Sequence, residues 1–116
     1  MKVTRLEDTD TVEVNMAGVK GVTKQVPISA ADGSPNYSFR VFTLQPGGYT
    51  PYHKHDFEHL NFIMEGRGAI RTESGDDIEV KKGDFVTVLP NEQHQYRNAS
   101  ATDAFVMICA VPKAYE

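Results

Sequence analysis

From residue 22 to residue 111 the chain is interrupted every few positions by Gly, Pro, Asn or Asp. No stretch of about a dozen residues or more places apolar side chains at i, i+3, i+4 and i+7 without such a break, so no long amphipathic helix is expected. Between the breaks lie short runs rich in Val, Ile, Phe, Tyr and Thr: Val22 to Ile28, Tyr37 to Leu44, His59 to Met64, Asp77 to Val80, Phe85 to Leu89 and Ala104 to Val111. The breaks are turn formers, as in Asp32-Gly33-Ser34-Pro35-Asn36, Pro46-Gly47-Gly48, Glu65-Gly66, Ser74-Gly75-Asp76, Lys82-Gly83-Asp84 and Pro90-Asn91-Glu92. Gly supplies positive φ and Pro removes a ladder donor, so each of these segments ends a strand. Many short strands at this spacing predict an antiparallel all-β sandwich or barrel. At 116 residues the chain is expected to form one domain, residues 1–116, with one modest core and neither repeat nor linker.

Charge and cysteine usage narrow the partners. The 12 basic and 16 acidic residues give a net charge of −4, and the only basic doublet is Lys81-Lys82. A nucleic-acid binder would carry a basic stretch, so neither DNA nor RNA is an expected partner. No run approaches the length of a membrane span, and the first eight residues have no signal-peptide core; membrane association is not expected. The single cysteine, Cys109, allows no internal disulfide and suits a reducing, cytoplasmic setting.

The last run, Ala104 to Val111, is apolar at both parities. A half-exposed strand would alternate, so this one should be covered on both faces, one by the barrel interior and one by a second sheet or a partner subunit. In so short a chain a partner is the better supply, which points to a homodimer.

Three of the four histidines fall in Tyr52-His53-Lys54-His55-Asp56-Phe57-Glu58-His59. On a strand, His53 and His55 would share a face and could hold one small ion; by itself such a pair is more often two solvated side chains than a site. His94 follows the run Phe85 to Leu89, where a separate strand could bring in one more ligand.

These residues resemble the cupin family. Its first motif, Gly, five residues, His-x-His, three or four residues, Glu, six residues, Gly, matches residues 47–66 through Gly47, His53-Lys54-His55, position 59 and Gly66. Its second motif matches residues 83–98 through Gly83-Asp84, Phe85 to Leu89, Pro90-Asn91-Glu92-Gln93, His94 and Asn98, with Pro90 one place later than in the commonest form. The resemblance implies an all-β double-stranded β-helix, a jelly-roll barrel. The chain departs from the family where Glu is usual, because that slot holds His59. The implied metal ligands are therefore His53, His55, His59 and His94, as in a subgroup of small homodimeric cupins, often with manganese.

Four neutral imidazoles would leave the charge of a divalent ion uncompensated and so favour an anionic ligand. One divalent transition metal per chain is implied, Mn or Fe first, with Zn, Ni and Cu as alternatives. A six-coordinate ion leaves two open positions for a ligand, whereas tetrahedral Zn leaves none. The expected function is a metal-dependent oxidoreductase of dioxygenase type acting on a small anionic or oxygenated molecule; the alternative is a non-catalytic metal- or ligand-binding cupin. Strand parity with His59 places Asn61 and Ile63 inward, and parity with His94 makes Tyr96 either a ligand contact or packing. Arg40 faces either solvent or, from inside, a substrate carboxylate. Cys109 is either a buried small apolar group or a cavity residue.

Overall fold

In a computed structural model that describes residues Met1 to Glu116, nine strands and three single-turn 3-10 helices make up the chain's regular structure. The strands are β1 (Val12–Glu13), β2 (Lys20–Ile28), β3 (Tyr37–Tyr49), β4 (His59–Glu65), β5 (Arg67–Thr72), β6 (Asp77–Lys81), β7 (Phe85–Val88), β8 (His94–Asn98) and β9 (Phe105–Pro112). All pairings are antiparallel, in the order β6-β5-β8-β3-β9-β4-β7, with β2 on β3 and β1 on β2. The curled antiparallel sheet is the expected jelly-roll barrel.

Every expected run is a strand, and three further strands appear where no run was expected: the two-residue β1, β5 and β8. In β5 the inward positions are Gly68, Ile70 and Thr72, and a Cβ at Gly68 would lie 2.7 Å from the Phe105 ring. The Phe105 side chain fills the space that an apolar residue would otherwise occupy, and the apolar signal of β5 is lost. In β8, His94 and Tyr96 are buried, so its inner face carries polar groups instead of the aliphatic residues that mark a strand.

The Pro46-Gly47-Gly48 segment ends no strand. Instead β3 bends there and continues to Tyr49, which pairs with Arg97 of β8. The register against β2 jumps from Val22↔Leu44 to Lys20↔Tyr49, the mark of a bulge at a barrel corner. Gly47 takes φ +79°, and a Cβ at Gly48 would meet the carbonyls of Gln45 and Lys20 at 2.8 and 2.9 Å.

The apolar core sits on the inner faces of these strands. Leu44, Ile63 and Phe105 are fully buried, joined by Val22, Ile70, Val80, Tyr96 and Met107. In β9 burial alternates: Phe105, Met107, Cys109 and Val111 are buried, while Val106, Ile108 and Ala110 remain half-buried. The inner face is covered as expected; the outer face is only partly covered within one chain.

Candidate metal centre

The histidine segment is not a strand. His53 forms an isolated bridge with His94, each backbone N–H donating to the other's carbonyl at 3.1 and 2.9 Å. His55 lies in the loop beyond, tied down where Asn91 N–H donates to its carbonyl at 2.7 Å. Asn91 holds φ +66°, a conformation Asn tolerates better than most residues. The turn Pro90-Asn91-Glu92 thus fastens one ligand loop to the approach of another. The His-x-His spacing still converges its side chains, through loop geometry and not through strand parity.

Two backbone carbonyls orient the rings. His94 Nδ1 donates to Glu92 O at 2.8 Å and His55 Nδ1 donates to Phe57 O at 2.7 Å, since a carbonyl can only accept. Both rings therefore carry a proton on Nδ1, which leaves Nε2 as the nitrogen that can face a metal. Phe57 stacks on His55 at 4.2 Å, and Tyr115 stacks on Phe57 at 3.8 Å, which walls one side of the centre.

His53, His55 and His94 each offer a ligand atom, all within 4.8 Å of one another. His55 Nε2 is buried and has no hydrogen-bond partner, an orphan that a metal would satisfy. The donor set and this orphan fit a transition ion that prefers imidazole. His59 stands apart from the group. Its ring is 4.2 Å from that of His55, but its Nε2 is 3.3 Å from Arg40 Nη2, which donates to it. The expected set of four is thus gathered as three, because the fourth imidazole accepts from a guanidinium.

Three of the rings, those of His53, His59 and His94, are pushed toward the neutral form. Burial first, then the neighbouring imidazoles His94 and His55, pulls His53 from 6.5 to about 4. Burial, then His55 and the Arg40 charge, takes His59 to about 3. His94 is also lowered by burial, partly offset by its bond to Glu92 O. Neutral imidazole at neutral pH is the ligand state.

A cavity of about 270 Å³ opens beside these rings, at the small end of ligand sites. Arg40, Asn61, Tyr96 and Cys109 line it with His53, His59 and His94; Ile63 belongs to the apolar core and does not. Arg40 turns inward. It donates to Tyr115 O at 3.3 Å and to Cys109 Sγ at 3.1 Å, while its buried Nε has no partner, which costs about 1–3 kcal/mol. Tyr96 donates to Asn61 Oδ1 at 2.8 Å, and burial raises its phenol pKa. Cys109 is both buried and a cavity residue.

Val14, Met16, Val19, Val22 and Lys24 from the N-terminal third also line the cavity, a contribution sequence reasoning did not find. The signal was available for Lys24: it shares strand parity with buried Val22.

Comparison with known proteins agrees with this geometry. The family model described as Cupin domain matches residues 40–111. An oxalate-binding protein of Thermotoga maritima is 29% identical over 92 residues, covering 77% of this chain and 75% of that one. A gentisate 1,2-dioxygenase of Aquipseudomonas alcaligenes is 33% identical over 57 residues, covering 49% of this chain but 16% of the dioxygenase. An uncharacterized protein of Methanocaldococcus jannaschii is 34% identical over 67 residues, 57% of this chain and 53% of its own length; the chain thus spans about half of that relative. Among solved structures, the polyketide cyclase RemF from Streptomyces resistomycificus superposes with a TM-score of 0.91 at 25% identity, over 97% of this chain and 79% of the cyclase. No helix is long and apolar enough to cross a membrane.

Proposed function

The chain belongs to the cupin family, and from that premise we propose that it binds one divalent transition metal and uses it on a small anionic or oxygenated molecule. The most concrete form of this reading is an oxidoreductase of dioxygenase type, with Fe or Mn ahead of Zn, Ni and Cu. The convergence of His53, His55 and His94, with an orphaned Nε2 on His55, is the observation that carries it. His59 is the fourth donor in this proposal, reached when its Nε2 gives up the Arg40 bond. A divalent ion held there would supply a Lewis-acid position at which a ligand oxygen is polarised.

The protein's own groups do the remaining work. Glu92 O and Phe57 O hold the imidazole tautomers, and the Phe57–Tyr115 stack shields one side from water. Arg40 and Lys24 face the cavity as positive charges. The dioxygenase among the relatives supports the redox form. The oxalate-binding relative, matched over most of its length, supports a second reading: a small-ligand-binding protein without turnover. A homodimer forms part of the proposal, supported by the half-covered apolar outer face of β3, β4, β7 and β9, where a groove of about 700 Å³ is lined by Phe39, Leu60, Phe62, Phe85 and Ile108.

Elemental analysis of protein purified without a histidine tag tests the metal, and oxygen uptake with small carboxylic acids and phenols tests the chemistry. About one transition ion per chain with ligand-dependent oxygen uptake is the expected result. An ion with ligand binding but no uptake favours the second reading, no ion overturns the first, and neither ion nor bound ligand overturns both.

A further inference from the structure

The cavity beside the histidines is unbalanced in charge. Lys24 and Arg40 line it and no Asp or Glu does, in a chain whose acidic residues outnumber its basic ones by 16 to 12. Arg40 is 9% exposed and forms no salt bridge. Its acceptors are the Tyr115 carbonyl at 3.3 Å, the Cys109 sulfur at 3.1 Å and His59 Nε2 at 3.3 Å, and its buried Nε has none. A buried charge is ordinarily paired with an opposite one. A guanidinium whose acceptors carry no negative charge and whose Nε–H is idle is short of a planar, two-oxygen anionic acceptor.

We propose that Arg40 is the anchor for the carboxylate of a small-molecule ligand, with another oxygen of that ligand directed to the histidine centre. A carboxylate on the Nε–Nη2 edge pairs the orphaned Nε–H and replaces the sulfur and imidazole acceptors on Nη2. The guanidinium is already held in place over the Phe42 ring at 5.0 Å, and Lys24, paired in register with Phe42, adds a second positive charge. A carboxylate fits better than a phosphate. The other uncharged polar side chains of the wall outside the imidazoles are already bonded, Tyr96 to Asn61 at 2.8 Å and Thr50 Oγ1 to the Tyr96 backbone, which leaves few donors for three phosphoryl oxygens. Only the placement of the second oxygen rests on the metal reading; the carboxylate anchor stands on Arg40 itself.

The test compares L-lactate with its neutral counterpart lactamide and with inorganic phosphate, on metal-free and zinc-loaded protein. Arg40 Nε–H is followed by NMR and affinity by calorimetry. Lactate should move the Arg40 Nε–H resonance and bind at least about tenfold more tightly than lactamide, the scale of one charge-assisted pair. Arg40→Gln should lose that advantage while lactamide affinity stays within about twofold, and Arg40→Lys should recover part of it. Equal binding of lactate and lactamide, an unmoved Arg40 resonance, or a preference for phosphate over lactate would overturn the proposal. If Arg40→Gln does not fold, the resonance in the unsubstituted protein decides. Lactate that moves the resonance in protein unable to hold zinc would sink the metal reading and leave the anchor standing.

Discussion

On β3, β4 and β9 the two faces of one sheet have exchanged their usual characters near the site. The face toward the barrel interior carries Arg40, His59, Asn61 and Cys109, whereas the outward face carries Phe39, Leu60, Phe62, Ile108 and Ala110. Further along the same strands the inner face reverts to Leu44, Ile63, Phe105 and Met107. A sheet with one solvated face normally puts its apolar side chains inward. Here the apolar core is confined to one end of the barrel, and the other end holds a polar cavity. The burial given up inside has to be sought outside, on a face where Phe39 and Leu60 are still 44% and 50% exposed.

Substitutions on the inner face divide its two ends. Phe105→Ala should destabilise the fold by about 3–5 kcal/mol in urea denaturation, because a fully buried ring is removed from the apolar end. Cys109→Ser, on the same strand at the polar end, should cost less than about 1 kcal/mol, since a hydroxyl accepts from Arg40 at least as well as a thiol. Similar losses from both would erase the division.

Next in size is the metal. His94→Ala should lower transition-metal affinity more than about 100-fold, beyond the range for a supporting residue, with a thermal midpoint in metal-free protein close to the original. Retained affinity would remove His94 from the ligand set.

The outer face is probed by Ile108→Lys, which places a charge in the middle of the apolar patch. Light scattering should show a dimer turned into a monomer, a loss of about 2 kcal/mol or more in association. A dimer unaffected by this change would have to use another surface.

The smallest effect is with pH. His53 and His59 titrate near 4 and 3 in the folded chain but near 6.5 when unfolded, so below about pH 6.5 the unfolded chain binds more protons. Their contribution is complete above that value and is lost as pH falls toward 4. Metal-free protein should melt lower at pH 5 than at pH 7.5, and bound metal should narrow the gap by excluding protons. A higher melting point at pH 5 would mean that the rings are not buried as described.

Legibility from sequence followed the kind of signal each part leaves. The runs Tyr37 to Leu44 and Ala104 to Val111 are legible because propensity and turn chemistry agree locally. β5 and β8 are not, because Gly68 yields its space to Phe105 from a distant strand and His94 and Tyr96 face a cavity. The inward placement of Asn61 and Tyr96 follows from parity. The mutual hydrogen bond that occupies both of them does not.

The order of residues determined by itself an all-β antiparallel barrel, the placement of every histidine on a motif position, and the absence of a carboxylate at position 59. These are properties of spacing and residue type, which chain connectivity carries. Only the tertiary structure decided that Arg40 turns inward, that His59 faces Arg40 while the other three imidazoles converge, and that β2 brings Lys24 to the same cavity. Those outcomes depend on distances between segments up to 75 positions apart, as between Arg40 and Tyr115, which packing sets and local sequence does not encode.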